Sequence, residues 1–152
     1  MKTIRDEVIF NDFLSKEQET HINLVYTAIY VDSKLEEILS KFGLDLPLFS
    51  ILRIVDSKSD KTINIKEIQK GMIHKMANTS RLIKVLEDRE LIQRKPSKED
   101  KRVVNVSLTE KGTIVMEQLD DLTNEFHINQ FNELSKEEIE VFNNLLNKVR
   151  LI

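Results

Sequence analysis

The stretch from Ile65 to Gly112 leaves this chain little choice of fold. Two short apolar-striped segments are followed at once by two strand-like runs joined by a charged turn. Asn64 precedes the first segment and Glu67 lies three positions on, the spacing of a capping box that pairs side chains with orphan helix N–H groups. Ile65, Ile68 and Met72 then share one face at helical spacing. Gly71 lets the chain turn close to the next helix. That second helix is expected to begin near Lys75 or Met76, without an obvious cap, and to turn Met76, Thr79, Leu82, Ile83 and Leu86 inward. Leu91–Lys95 reads as a strand, Pro96–Arg102 as a turn, and Val103–Leu108, rich in β-branched residues, as the returning strand.

The order is that of a helix-turn-helix followed by a β-hairpin wing. On the second helix the inward stripe leaves Ala77, Asn78, Ser80, Arg81 and Lys84 on or near the outer face, with Lys75 at its entry. A helix of this kind fits the DNA major groove and reads base edges from its N-terminal half. Asn suits adenine, Arg suits guanine or phosphate, and small Ala and Ser permit close approach. The hairpin turn carries Lys98, Lys101 and Arg102, cations long enough to reach a minor groove or nearby phosphates, and Asp100 is placed to orient Arg102 by an ion pair. Each group alone would be an ordinary solvated surface. Their succession in one module is what points to DNA.

Asp100-Lys101-Arg102 followed by Val106-Ser107-Leu108-Thr109-Glu110-Lys111-Gly112 resembles the D-x-R … V-x-L-T-x-x-G signature of the MarR family of bacterial winged-helix transcription regulators. Thr79-Ser80-Arg81-Leu82-Ile83-x-x-Leu86 resembles that family's recognition helix, and Leu91-Ile92-x-Arg94 its first wing strand. The resemblance runs over nearly the whole chain. It implies a homodimer on a palindromic operator in double-stranded DNA, with Arg102 as the wing arginine and Asp100 as the residue that orients it. It also implies repression relieved by a small, often aromatic, anionic effector. One position departs: where the family often has Gly before the first wing strand, this chain has Glu90. Glu in a left-handed conformation costs about 1 kcal/mol relative to Gly, so this helix end is expected to close differently.

The net charge of −3 is unexpected for a DNA binder until its distribution is considered. From Lys61 to Arg102 there are 12 Lys/Arg against 6 Asp/Glu; elsewhere there are 11 against 20. A basic module on an acidic frame is the footprint of a protein with one face toward phosphate. The absence of cysteine excludes disulfides, thiolate metal sites and cysteine redox sensing. His21, His74 and His127 stand in no metal-ligand spacing. No nucleophile motif, Gly-rich phosphate loop or paired catalytic carboxylates are found, which argues against an enzyme. With no span-length apolar run and a charged N-terminus, the expectation is a cytoplasmic protein without membrane association.

The remainder reads as a helical frame within a single domain over 1–152, mainly α. The winged-helix module, a three-helix core plus the hairpin, occupies about 45–110, and 15–43 and 110–152 are long dimerisation helices. Residues 1–14 show no clear period. Ser15 and Gln18 form a capping box ahead of a helix carrying Ile22, Val25, Tyr26, Ile29, Leu35, Ile38, Leu39 and Phe42, ended by Gly43. Pro47 opens a helix whose inner face is Leu48, Ile51, Leu52 and Val55. Lys61–Ile63 reads as a brief strand beside the wing. Thr109 caps a helix on which Val115, Leu119, Leu122 and Phe126 recur at helical spacing; Ser135 and Glu138 box the last, with Ile139, Phe142, Leu145, Leu146 and Val149 in one stripe, and these stripes outside the module imply dimerisation. Tyr26, Tyr30 and Phe49 are candidates to line an effector pocket between frame and module, with core packing as the plainer alternative. The competing functional reading is a winged helix that binds protein and has lost DNA, supported by the acidic total charge and Glu90.

Overall fold

The computed structural model describes residues 2–9, 12–58, 62–73, 78–97 and 101–151. Their elements run α1 (Ile4–Glu7), α2 (Lys16–Ser40), α3 (Leu46–Asp56), β1 (Thr62–Asn64), α4 (Ile65–Gly71), α5 (Thr79–Asp88), β2 (Ile92–Pro96), β3 (Val104–Leu108), α6 (Glu110–Gln130) and α7 (Lys136–Val149). The order β1-β3-β2 makes a small antiparallel sheet, with Arg94 opposite Val106 and Ile63 opposite Val106 on the other side. The architecture is therefore the expected mainly helical winged helix-turn-helix, and the brief strand beside the wing is present.

The core lies within the module and beneath it. Leu48, Phe49, Ile51, Leu52 and Val55 of α3, Ile68 of α4, Ile83 and Leu86 of α5, and Ile63, Ile92, Val106 and Leu108 of the sheet are buried together. Leu35 and Leu39 of α2, with Met116 and Leu119 of α6, close it from the frame. Helix starts obey local chemistry. Asn64 and Glu67 form the predicted box, as do Ser135 and Glu138. Ser15 accepts from the Gln18 N–H, but the Gln18 side chain takes the Leu14 N–H instead of the cap's own, so this box is only half closed. Thr109 accepts from the Gly112 N–H. Asp45 caps α3 through the Leu48 N–H, with Pro47 in the first turn as its fixed φ allows.

Three expectations need correction. The second helix of the module begins at Thr79, not near Lys75 or Met76, because Asn78 is its cap: the side-chain oxygen accepts from the Arg81 N–H. The α6 stripe is not wholly left for a partner: Leu119 is buried, Val115 and Phe126 pack partly against the core and Leu122 is exposed, with Gly112, Met116 and Thr123 completing the buried face. The helix also packs where Gly112 meets the root of β2: a Cβ there would collide with the Leu91 carbonyl, which accepts from the Thr109 N–H at 3.1 Å.

The third correction concerns Glu90. It adopts φ +62°, and the helix end closes as a glycine-terminated one does. After α2, Gly43 at φ +68° lets the Leu44 N–H reach the Leu39 carbonyl. After α5, Glu90 lets the Leu91 N–H reach the Leu86 carbonyl at 3.0 Å, the same six-to-one return. The Thr109 hydroxyl donates to the Glu90 carbonyl at 2.6 Å, and Lys111 Nζ donates to that of Arg89 at 2.8 Å. These contacts hold a conformation that the side chain alone disfavours.

Outside the core, large apolar side chains stand bare. Val25, Tyr26, Ile29 and Tyr30 in the middle of α2, Ile128 near the end of α6, and Val141, Phe142, Leu145 and Val149 on α7 are exposed. No residue of α7 is buried. No helix among the described residues is long and apolar enough to cross a membrane.

Candidate nucleic-acid interface

Helix α5 is divided lengthwise. Thr79, Ile83 and Leu86 are buried against α3 and α4, and Leu82 and Val85 are partly covered. Ser80, Arg81, Lys84 and Asp88 lie on the exposed side. The helix cannot rotate without exposing Ile83 and Leu86, a cost of about 1.5–3 kcal/mol for each. Core packing thus fixes which residues face outward.

Asn78 holds a different place from the one expected. Its oxygen is committed to the cap, so the free helix face starts at Ser80. Lys84 forms an ion pair with Asp88 one turn on, and its pKa is raised first by that hydrogen bond. Lys101 and Arg102 are exposed in the turn between β2 and β3. Lys75, Ala77, Lys98 and Asp100 lie outside the described residues, and so does the expected Asp100–Arg102 pair; His74 does too.

The wing is braced on both edges. On one side β3 pairs with β1, whose last residue, Asn64, is opposite Asn105 and also caps α4. On the other, Arg94 of β2 makes a two-pronged ion pair with Glu87 in the last turn of α5: Nε donates to Oε1 at 3.0 Å and Nη2 donates to Oε2. The hydrogen bond from Arg94 is the leading cause that holds the Glu87 carboxyl below its ordinary range, and Glu87 in turn raises the guanidinium. Sequence reasoning missed this pair. Seven residues separate the partners and no helical spacing connects them, whereas the Lys84–Asp88 pair at i, i+4 was legible in principle.

Tyr26, Tyr30 and Phe49 do not share a pocket. Tyr26 and Tyr30 line a shallow cleft of about 310 Å³ against α1, and the Tyr26 hydroxyl donates to Glu7 at 3.1 Å. Phe49 instead borders a cavity of about 370 Å³ between α3 and α6 with Arg53, Asp120, Asp121, Asn124 and His127. Arg53 is ion-paired to Asp120 and lies 6.0 Å from the Phe49 ring centre. Of the three aromatics, then, only Phe49 borders a cavity between frame and module.

Comparison with known proteins agrees with this geometry. Residues 44–104 match the family model described as MarR family. The HTH-type transcriptional repressor IacR of Pseudomonas putida is 28% identical over 115 residues, spanning 76% of this chain and 68% of that one. A mutant MarR from E. coli, solved with operator DNA, superposes with a TM-score of 0.74 at 24% identity over 98% of this chain and 99% of that one. The organohalide-sensing regulator RdhR, solved in its 2,4-dichlorophenol-bound form, superposes at 0.81 with 16% identity over 99% of this chain and 88% of that one.

Proposed function

We propose that the chain is a DNA-binding transcriptional regulator of the MarR family, a reading supported by the family match over residues 44–104 and by regulators that are 28% identical. It acts as a homodimer on a palindromic operator, in the cytoplasm and without catalytic turnover. Helix α5 enters the major groove with Ser80, Arg81 and Lys84, while Lys101 and Arg102 of the wing grip the flanking minor groove. Asn78 caps the entry of the helix, and Lys75, Ala77, Lys98 and Asp100 are assigned to the same interface from the sequence. The observation that carries this reading is the divided α5: its apolar face is locked into the core, and its polar face is left bare in a module that ends in a basic turn. The surplus of six positive charges over residues 61–102 supplies the phosphate attraction.

Dimerisation falls to the bare faces of α2, α6 and α7. Two-fold symmetry then sets two copies of α5 on half-sites about 10 base pairs apart. A small effector acts by preferring one spacing of the two copies, which shifts operator affinity by that preference. The cavity at Phe49 and Arg53 is the place for it, because its walls join α3 of the module to α6 of the frame. An anionic effector would compete with Asp120 for Arg53.

Selection of random duplexes on the full-length dimer tests this directly. A palindrome with half-sites one helical turn apart, and affinity falling steeply with salt, is expected. Arg81→Ala and Arg102→Ala should each weaken operator binding about tenfold or more while the dimer stays folded. A folded dimer that selects no sequence and ignores both substitutions would instead favour the protein-binding alternative.

A further inference from the structure

Recognition helix and wing must meet one stretch of duplex together, so the angle between them matters as much as the residues they carry. The apolar anchor of β2 ends early. Ile92 is buried and Gln93 half-buried, but Arg94, Lys95 and Pro96 are exposed. On β3 the corresponding outer residue, Val104, is exposed as well, and the first fully buried one is Val106. Beyond Ile92 the strand is tied to α5 through the Arg94–Glu87 pair. That pair is bidentate, which fixes orientation as well as distance. Its partners are partly shielded, with side chains 37% and 29% exposed.

We propose that Glu87 and Arg94 are positioning residues that lock the wing to the recognition helix, so that the two grip DNA as one rigid unit. This rests on the DNA-binding reading of the module. A negative charge at Glu87, on a helix facing phosphate, works against nonspecific attraction. Its use is internal: it holds Arg94, and through Arg94 the strand that leads to the wing tip. With the lock intact, the second contact is made at the high effective concentration set by a stiff connection. With the lock broken, helix and wing bind as loosely linked pieces. Operator affinity then falls, while affinity for random duplex, which needs no fixed angle, changes little.

The test uses the full-length dimer with Glu87→Gln, Arg94→Gln and the exchange E87R/R94E. Each single variant should lose about five- to tenfold in operator affinity, and the exchange should recover most of that loss. Random-duplex affinity should stay within about twofold for Glu87→Gln. An Arg94 that instead touches phosphate itself would give a double variant at least as weak as Arg94→Gln, and that overturns the proposal. So does an unchanged operator affinity in Glu87→Gln. A second measurement needs no DNA. The chain has no cysteine, so Ser80→Cys and Val104→Cys introduce unique spin-label sites on helix and wing. The distance distribution between them should broaden with Glu87→Gln and sharpen again in the exchange. If the unaltered protein binds no duplex at all, the operator reading falls and this distance measurement alone decides whether the lock exists; an unbroadened distribution rules it out.

Discussion

Helices α5 and α7 are both strongly amphipathic, yet they meet opposite fates. Of the ten residues in α5, Thr79, Ile83 and Leu86 are buried within the subunit. Of the fourteen in α7, none is, and Leu145 and Val149 remain more than half exposed. Helix α2 contains the same contrast within one element: Leu35 and Leu39 near its end join the core, while Ile29, one turn and a half earlier, is 65% exposed. A strong apolar stripe therefore states that a face must be covered, without stating by what. The module satisfies its stripes internally. The frame does not, and a second copy with the same bare faces is the simplest cover for them.

The contrast can be broken most severely at α7. Phe142→Glu combined with Leu145→Glu places two charges in the bare stripe. The expected result is a monomer by sedimentation, with operator affinity reduced at least about a hundredfold, since one half-site must then bind without the other. The module should keep its fold, seen in an unchanged β-hairpin signature by NMR. Loss of the hairpin signals would mean that frame and module are not energetically separate.

The module's side of the comparison is tested at Gly112. Alanine there forces its Cβ against the Leu91 backbone carbonyl, which has no flexible end to yield. A loss of about 3 kcal/mol in unfolding free energy is expected, measured by denaturant titration. Since Gly112 joins α6 to the root of β2, DNA affinity should suffer in proportion to the unfolded fraction only.

A smaller effect of opposite sign is expected at Glu90. Replacing it by Gly removes a left-handed side chain, and stability should rise by about 1 kcal/mol. Its exposed ion pair with Lys111, at 3.6 Å, contributes little and should not reverse the sign. A thermal melt of Glu90→Gly decides it.

The weakest contact worth testing lies in the frame, where Arg5 ties α1 to α2 through Glu19. Hydrogen bonds from Arg5 first, then Lys16, lower the Glu19 carboxyl from 4.5 to about 2. A carboxylate so lowered contributes its stabilisation in full above pH 4.5 and loses it as the pH falls toward 2. Amide exchange in α1 should therefore quicken across that interval, and Glu19→Gln should reduce the pH dependence to the part carried by Asp6, whose carboxyl is also lowered by its hydrogen bonds from Thr3, while leaving the module's exchange rates alone.

Much of this molecule was legible because its local chemistry is redundant. The capping oxygens of Asn64, Thr109 and Ser135, and the periodic stripes of α3 and α5, mark elements that short-range physics decides. Asn78 shows the limit of that approach: a good capping residue was present, but Met76 extended the apolar period and drew the helix start inward. At α6 the burial of Met116 beside Leu119 depends on the tight fit of Gly112 against Leu91, which is a tertiary fact. Of the candidate interface, Ser80, Arg81, Lys84, Lys101 and Arg102 could be picked out as exposed cations and small residues beside a basic turn. The Glu87–Arg94 and Arg53–Asp120 pairs could not, because each joins elements whose mutual placement only the fold supplies.

Asn64 belongs to two elements at once, closing the ladder of β1 against Asn105 and capping α4 with its side chain. A load applied to the hairpin is therefore carried past the sheet into the first helix of the reading pair. The wing is less a loose finger than the end of a truss, and any force that bends it strains a helix terminus on the opposite side of the sheet.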